Sequence, residues 1–501
     1  MDNNEVRKFC IPEVVSSSVV TQQIEIDHIL PDYQPEIMRI IHCSAAPYIS
    51  AKNLSSDKLT VDLIVVHSIV YQSYDMSINT IKIENSYVKG IDFTYPEAAL
   101  EADLRLNTEY CNCKATGKRK INIRTNIGIG YSVYAEKEYT PFELADDIEV
   151  KTEELSATVL KSICSKTVEF KESIEENFSD CKIIDTPCKV RINDYRVVSG
   201  KVVIKGDLDA SVMVINDDLS VSAKVVSVPF GQIFDLNGAE DDDKCEIAAK
   251  CMFVNISDDM EKDASSSIEV IVSFSIKVFG TVNAVLPTDA YCTRCETECE
   301  TAVASFSDYT QIQEKTVTAN FSLGKISTEI SRVNYLFINP VVVSSEKREN
   351  GMHLNIAADA HFIGSDDSKT AVGLSKRGEF TLNPEIHIDE DSKGEFNIYP
   401  ENYSYSLSDD GELTVSIELC VKFLISTVKN ISYVSSFTMN EDIHKNNTDR
   451  AAITVYFAEK GESLFDIGKR YNVEARLISD ENGIDGGVLS EKKRLIIPCK
   501  A

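Results

Sequence analysis

Three cysteines, Cys292-x-x-Cys295-x-x-x-Cys299, have the tight spacing of a thiolate metal ligand set. Tetrahedral zinc needs a fourth ligand, and structural sites usually add a second paired knuckle. The nearest histidine along the chain is His353, and the stretch YCTRCETECE reads as a domain joint. Cys111-x-Cys113 puts two thiols on one side of a strand, with no second pair or histidine close by in sequence. Asp389, Asp391 and Gly394 imitate the start of a calcium loop. Lys393 and Pro400 stand where such a loop needs oxygen ligands. Gly200–Gly206 lacks the Gly-Lys-Ser/Thr ending of a phosphate loop. The chain has no Gly-x-Ser-x-Gly, no His-Glu-x-x-His and no Cys/His nucleophile context. Paired acids are too common in so acidic a chain to nominate a glycosidase. The expectation is a protein without catalytic residues, metal or cofactor.

The elements around these residues must therefore serve binding. At 501 residues the chain has room for three or four domains of about 100–200 residues each. Its 43% hydrophobic and 26% charged residues suit a globular protein. The net charge of -29 is unevenly placed. Residues 451–501 hold 8 basic and 8 acidic side chains, leaving 43 against 72 in the rest. An acidic body repels phosphate backbones and anionic lipid, which argues against nucleic acid and membrane surfaces. It suits solubility or a basic protein partner. No apolar run approaches the ~18–20 residues of a membrane span. The opening MDNNEVRKFCIPEVVSSSVV lacks the basic n-region and unbroken apolar core of a signal peptide, so a cytosolic location is expected. The fourteen cysteines are scattered, and several lie in strand patterns (Cys251, Cys420). They read as reduced, buried small side chains.

The body repeats itself. Alternating segments begin at Gln22, Lys166 and Lys315, second strands at Lys58, Lys201 and Gly351, and third strands at Ile121, Ile268 and Leu413. The second strands are offset by 143 and 150 residues, which is the scale of tandem domains. Within each copy Val, Ile, Thr, Tyr and Phe alternate with polar residues. Turn signals stand at Asn216-Asp217-Asp218, Asn350-Gly351 and Asp409-Asp410-Gly411. One short helix is expected over Pro35–Ile41, from Ile37, Ile40 and Ile41 at i, i+3 and i+4. Joints are expected at Thr140–Leu160, Thr297–Thr310 and Asn440–Arg450. The fold class is mainly β, with three tandem antiparallel sandwich- or barrel-like domains and a small α+β (βααβ) unit. The expected borders are residues 1–158, 159–308 and 309–440, a linker over 441–450, and the terminal unit over 451–501.

That terminal unit is the most informative segment. Ser463 is placed to cap a helix, with Asp466 reaching back as its capping-box partner. Leu464, Ile467, Gly468 and Tyr471 make one helical face, and Gly468 permits close approach to a strand. A second helix turns Leu477 and Ile478 inward and stops at Asn482-Gly483. Leu495-Ile496-Ile497-Pro498 closes the unit as a strand.

Two resemblances follow from these segments. IEIDHILPDYQPEIMRII, KVVIKGDL and Asp289-Ala290-Tyr291 resemble the sporulation-coat repeat (SPOCS) family, over most of residues 15–440. The third copy lacks a PDYQPEI-like segment and an intact KVVIKGDL. The terminal unit is similar to LysM domains. Their pattern falls on Gly461–Leu464, Ile467-Gly468, Tyr471, Asn482 and Leu495–Pro498. The resemblance implies a groove for N-acetylglucosamine polymers lined by Gly461, Glu462, Ser463, Leu464, Asn482, Gly483, Ile484 and Asp485. Two departures stand out. Lys492 replaces the usual glycine before the last strand, and Asp485-Gly486-Gly487 alters the second groove loop. Lys492, Lys493 and Arg494 form a basic run that reads as a solvated strand entry or a docking point for an acidic partner. Coat repeats followed by one LysM resemble the SipL-type spore morphogenetic proteins. That likeness implies a non-enzymatic scaffold in the mother-cell cytoplasm, at the forespore surface. Its implied partners are a coat morphogenetic ATPase and other coat proteins, with peptidoglycan as the alternative ligand.

Overall fold

In a computed structural model the chain is mainly β, with twenty-one strands and two helices among the described residues. These are residues 9–93, 99–140, 142, 148–178, 181–216, 220–241, 243–258, 266–326, 332–349, 351–365, 371–444 and 454–498. The first six strands are β1 (Phe9–Ile29), β2 (Ile37–Leu54), β3 (Lys58–Ser73), β4 (Ile78–Asp92), β5 (Ala99–Gly117) and β6 (Lys120–Tyr139). They form two sheets, ordered β1-β6-β5 and β2-β3-β4. Next come β7 (Ile148–Ile174), β8 (Ile183–Asp185), β9 (Cys188–Val198), β10 (Lys201–Ile215), β11 (Val221–Asp235), β12 (Lys244–Asp258) and β13 (Ser266–Cys292). Their sheets are β12-β13-β7 and β11-β10 with β8 and β9 both on the far side of β10. The third set is β14 (Cys295–Lys325), β15 (Arg332–Arg348), β16 (Gly351–Ser365), β17 (Ala371–Leu382), β18 (Ser392–Leu407) and β19 (Glu412–His444). It gives β14-β19-β18 and β15-β16-β17. The last elements are β20 (Thr454–Ala458), α1 (Leu464–Tyr471), α2 (Ala475–Asn482) and β21 (Lys493–Ile497).

One pairing order therefore occurs three times. The first and last strands of a set pair with each other, and the middle strand of the other sheet is β3, β10 or β16. Those three begin at Lys58, Lys201 and Gly351, where the sequence repeats. Alternation explains how each set closes. Along β10, Val202, Ile204, Leu208, Ala210 and Val212 are buried, and polar neighbours point away. They share one apolar cluster with Val270, Val272, Phe274 and Ile276 of the other sheet. Gly206 interrupts this row for a steric reason. A Cβ there would lie 2.1 Å from the Arg191 carbonyl oxygen, where β9 shifts register.

Two expectations are corrected. Residues Ile37–Ile41 open strand β2, not a helix. Register shifts between Ile37 and Arg39 and between Ile40 and His42 break the period of two, which produced the helix-like spacing. The joints read at Thr140–Leu160 and Thr297–Thr310 are largely strand. β7 is continuous through Leu160 and β14 through Thr310, so positions 158 and 308 fall inside strands. The linker read over 441–450 begins inside β19, which runs to His444; the rest of it and the turn at Asp217-Asp218 lie outside the described residues.

Those long strands bring the sets together. Ile11 and Tyr139, Leu155 and Leu286, and Phe306 and Tyr433 share one buried cluster. Tyr134, Leu160, Phe279 and Leu424 form another. At a third, Ile41 and Ile78 meet Ile184, Ile215, Tyr335 and Ile363. Each cluster draws on all three sets. Among the described residues no helix is long and apolar enough to cross a membrane. The reading of every cysteine as reduced fails at one pair, because Cys43 and Cys113 are joined as a disulfide.

Candidate functional site

In the terminal unit β20 and β21 pair antiparallel, from Thr454 opposite Ile497 to Ala458 opposite Lys493. Two eight-residue helices lie between them. Helices this short are marginal alone and need tertiary packing. Here it comes from Ala458, Leu464, Ile467, Val473, Ile478, Leu489, Leu495 and Ile497. Ser463 Oγ accepts the Asp466 amide at 3.0 Å and caps α1. The Asp466 carboxylate faces outward, 3.7 Å from Lys151 Nζ. Gly483 ends α2 in the left-handed conformation, φ 56°.

The residues carried over from the sugar groove separate into two kinds. Several spend their polar atoms inside the unit. Glu462 accepts hydrogen bonds from the Tyr456 hydroxyl and the Glu459 amide, both at 2.8 Å. These bonds hold its carboxyl below the usual range. Ser463 is the cap, and Leu464 is core, 2% exposed. Asn482 clamps α2 to β21. Its Nδ2 donates to the Ile478 and Ile496 carbonyls at 2.8 and 2.7 Å, and its Oδ1 accepts the Ile496 amide at 2.7 Å. Ile484 is half-buried against the core. The others form open surface. Asp485 is exposed, and a Cβ added at Gly461, Gly483, Gly486 or Gly487 would touch nothing within 4 Å. Asn482→Ala removes the clamp and should cost about 1–2 kcal/mol. The expected readout is roughly tenfold faster hydrogen exchange at the Ile496 amide.

In the basic run Lys492 pairs with Glu459, and Lys493 Nζ donates to the Asn482 carbonyl at 3.4 Å. Arg494 is exposed on β21 opposite Phe457. Val455, Phe457 and Ile496 are also exposed, Phe457 at 66%. They lie on the outward face of the two-stranded sheet, since the alternate residues Leu495 and Ile497 are buried. Sequence reading missed this face. Its signal was the strand alternation T-V-Y-F-A, in which Val455 and Phe457 share a side.

A second surface of the unit is already occupied. Tyr291, near the end of β13, is 1% exposed and donates its hydroxyl to the Val473 carbonyl at 2.8 Å. Its ring stands edge-on to Phe465 of α1, centroids 5.0 Å apart. Burial keeps the hydroxyl protonated by raising its pKa. Lys469 Nζ bridges both Asp289 oxygens at 2.6 and 2.7 Å. The Ala475 amide donates to Glu149 at 3.4 Å. Gly468 was expected to allow close approach to a strand, and the strand is β13 of the body. A Cβ there would lie 2.5 Å from the Tyr291 hydroxyl. Asp289-Ala290-Tyr291, noted as a repeat motif, is thus the seat of the terminal unit.

The cysteine and acidic motifs fall elsewhere. Cys292 and Cys295 are buried at the turn from β13 to β14, and Cys299 Sγ donates to the Ala290 carbonyl at 3.4 Å. Among the described residues these three do not converge as a ligand set, whereas Cys43, Cys111 and Cys113 do. Asp389 lies in the turn before β18, which carries Gly394. Residues 181–271 match the family model for the SipL, SPOCS domain. The match covers β8 to β12 and the start of β13. No curated protein matches the chain.

Proposed function

We propose that the chain is a non-enzymatic scaffold of bacterial endospore coat assembly. In this reading three tandem SPOCS-type domains, each two packed sheets, form the body. A terminal LysM-type unit docks to the coat morphogenetic ATPase of the forespore surface, reached from the mother-cell cytoplasm. The observation that carries the proposal is the family match at 181–271, together with the recurrence of that region's strand order on either side of it. Strand pairing favours domain borders near residues 140–148 and 292–295 over borders at 158 and 308. The strand–helix–helix–strand order, the Ser463 cap and the closing Leu495–Pro498 support a LysM-type unit.

The unit's free surface favours a protein ligand over a sugar. Glu462, Ser463 and Asn482 are engaged internally. The outward sheet face instead offers Val455, Phe457 and Ile496 beside Arg494. Aromatic and arginine side chains are the usual anchors of protein interfaces. The test is capture of the full chain on immobilised ATPase and on purified sacculi. ATPase capture is expected, weakened about tenfold or more by Phe457→Asp if that residue is an anchor. Asp485→Lys probes the groove loop from an exposed position. Retention on sacculi without ATPase capture would establish the peptidoglycan reading instead.

A further inference from the structure

The first strand set holds a sulfur cluster that the proposed scaffold role does not use. Cys43 is on β2, and Cys111 and Cys113 are on β5, in the other sheet of that set. Spacing of two on β5 presents both thiols to the same side. The three Sγ atoms all lie within 4.8 Å of one another. Cys43 and Cys113 are bonded, and Cys111 Sγ is 3.4 Å from Cys43 Sγ.

The surroundings are built for sulfur. Cys43 and Cys113 pack against Ile69, Tyr71, Ile121 and Ile123. Thr125, directly opposite Cys111 on β6 and 0% exposed, donates its hydroxyl to Cys111 Sγ at 3.6 Å. His67 on β3, also 0% exposed, has Nε2 at 2.9 Å from that hydroxyl oxygen. The Thr125 hydroxyl thus lies between a ring nitrogen of His67 and the sulfur of Cys111. A hydroxyl held by a second buried polar group thus faces one sulfur, the kind of outer support that orients a metal thiolate. No carboxylate belongs to the cluster, which selects against hard cations. Three sulfurs bound to one cation at about 2.3 Å stand roughly 4 Å apart. Opening the Cys43–Cys113 bond leaves only side-chain rotation to reach that geometry.

We propose that reduced Cys43, Cys111 and Cys113 form a three-thiolate site for a thiophilic d10 cation, either copper(I) held by the three sulfurs alone or zinc with a water as its fourth ligand. Binding releases the thiol protons. Oxidation by a small-molecule disulfide closes the site: Cys43 and Cys113 lose two electrons and two protons, their S–S bond forms, and the oxidant leaves as two thiols. The cluster is then a redox-gated metal site, not three inert core thiols.

The test uses the full chain, reduced and held anaerobic. Cadmium(II) is the spectroscopic probe, with zinc(II) and copper(I) as competitors that tell the two cations apart. One equivalent should give a thiolate-to-metal charge-transfer band. Cys111→Ser and prior oxidation with glutathione disulfide should each abolish it, and Cys295→Ser should leave it intact. Thr125→Val should weaken binding about 10–100-fold. In the unmutated chain, one equivalent of whichever cation displaces cadmium, zinc or copper(I), should protect Cys43, Cys111 and Cys113 together from alkylation. That measurement decides the matter even if a variant misfolds. Unprotected Cys43, Cys111 and Cys113, or a full band in Cys111→Ser, would overturn the proposal.

Discussion

Tyr291→Ala should detach the terminal unit from the body while leaving each folded. The ring is buried between β13 and α1, and its hydroxyl donates to the Val473 carbonyl. Truncating a buried aromatic costs about 3–5 kcal/mol. Each 1.4 kcal/mol is tenfold in an equilibrium, so docking should fall by at least about a hundredfold. The remaining ion pairs cannot compensate. Lys469 with Asp289 and Lys151 with Asp466 are both substantially exposed, and such pairs contribute about 1 kcal/mol or less. A zero-length carbodiimide cross-link between Lys469 and Asp289 reports the contact directly. It should form in the parent chain and vanish in Tyr291→Ala. Gly468→Ala should act from the other side, because its methyl would meet both the Tyr291 hydroxyl and the Val473 carbonyl oxygen. Tyr291→Phe removes only the hydrogen bond and should retain most of the cross-link. An undiminished cross-link in Tyr291→Ala would show that the seat is held by something else.

Acid should loosen the body through two buried histidines. Burial lowers His42 and His67 from the ordinary 6.5 to about 4. His42 sits among Tyr335 and His361, with Asp185 hydrogen-bonded to Tyr335 at the same junction. The unfolded chain binds protons at pH 6.5 that the folded chain refuses until about pH 4. Their contribution is therefore complete above pH 6.5 and is lost as pH falls towards 4. The shift limits it to about 3 kcal/mol per histidine. His361 is lowered by burial in the same sense. Asp185 is raised by burial and offsets part of the loss at the acid end. Urea midpoints of the parent and His67→Gln should converge between pH 7 and 4.5, because glutamine keeps a polar partner for Thr125 but does not titrate. A constant gap over that range would rule out the titration.

The alternation in β10 and in the first half of β3 was legible because one face of the strand there is core. So was the terminal unit, whose caps and helix stop are local in sequence. The short helix was misread because two bulges in β2 turn isoleucines to irregular spacings. The joints were misread because turn-poor, polar stretches such as Lys151–Ser156 remain paired with β13. Cys43 stands 70 residues from Cys113, and nothing local marks them as neighbours. Tyr291 was visible as part of a motif, but its partner lies 182 residues away. Asn482 was read from the motif as a ligand contact, and its side chain bonds to Ile478 of its own helix and to Ile496 of β21. A shared position in a motif cannot separate a residue that builds a groove from one that contacts what fills it.

The clusters common to all three strand sets bear on how the body transmits force. A string of independent domains lengthens under load by yielding one domain at a time. Here Leu155, Phe306 and Tyr139 belong to one core, so tension on any set strains the other two. The body should act as a stiff hub that holds its width until the common core parts, then gives way in one step. Partners bound to different sets would therefore be held at a fixed separation and not loosely tethered.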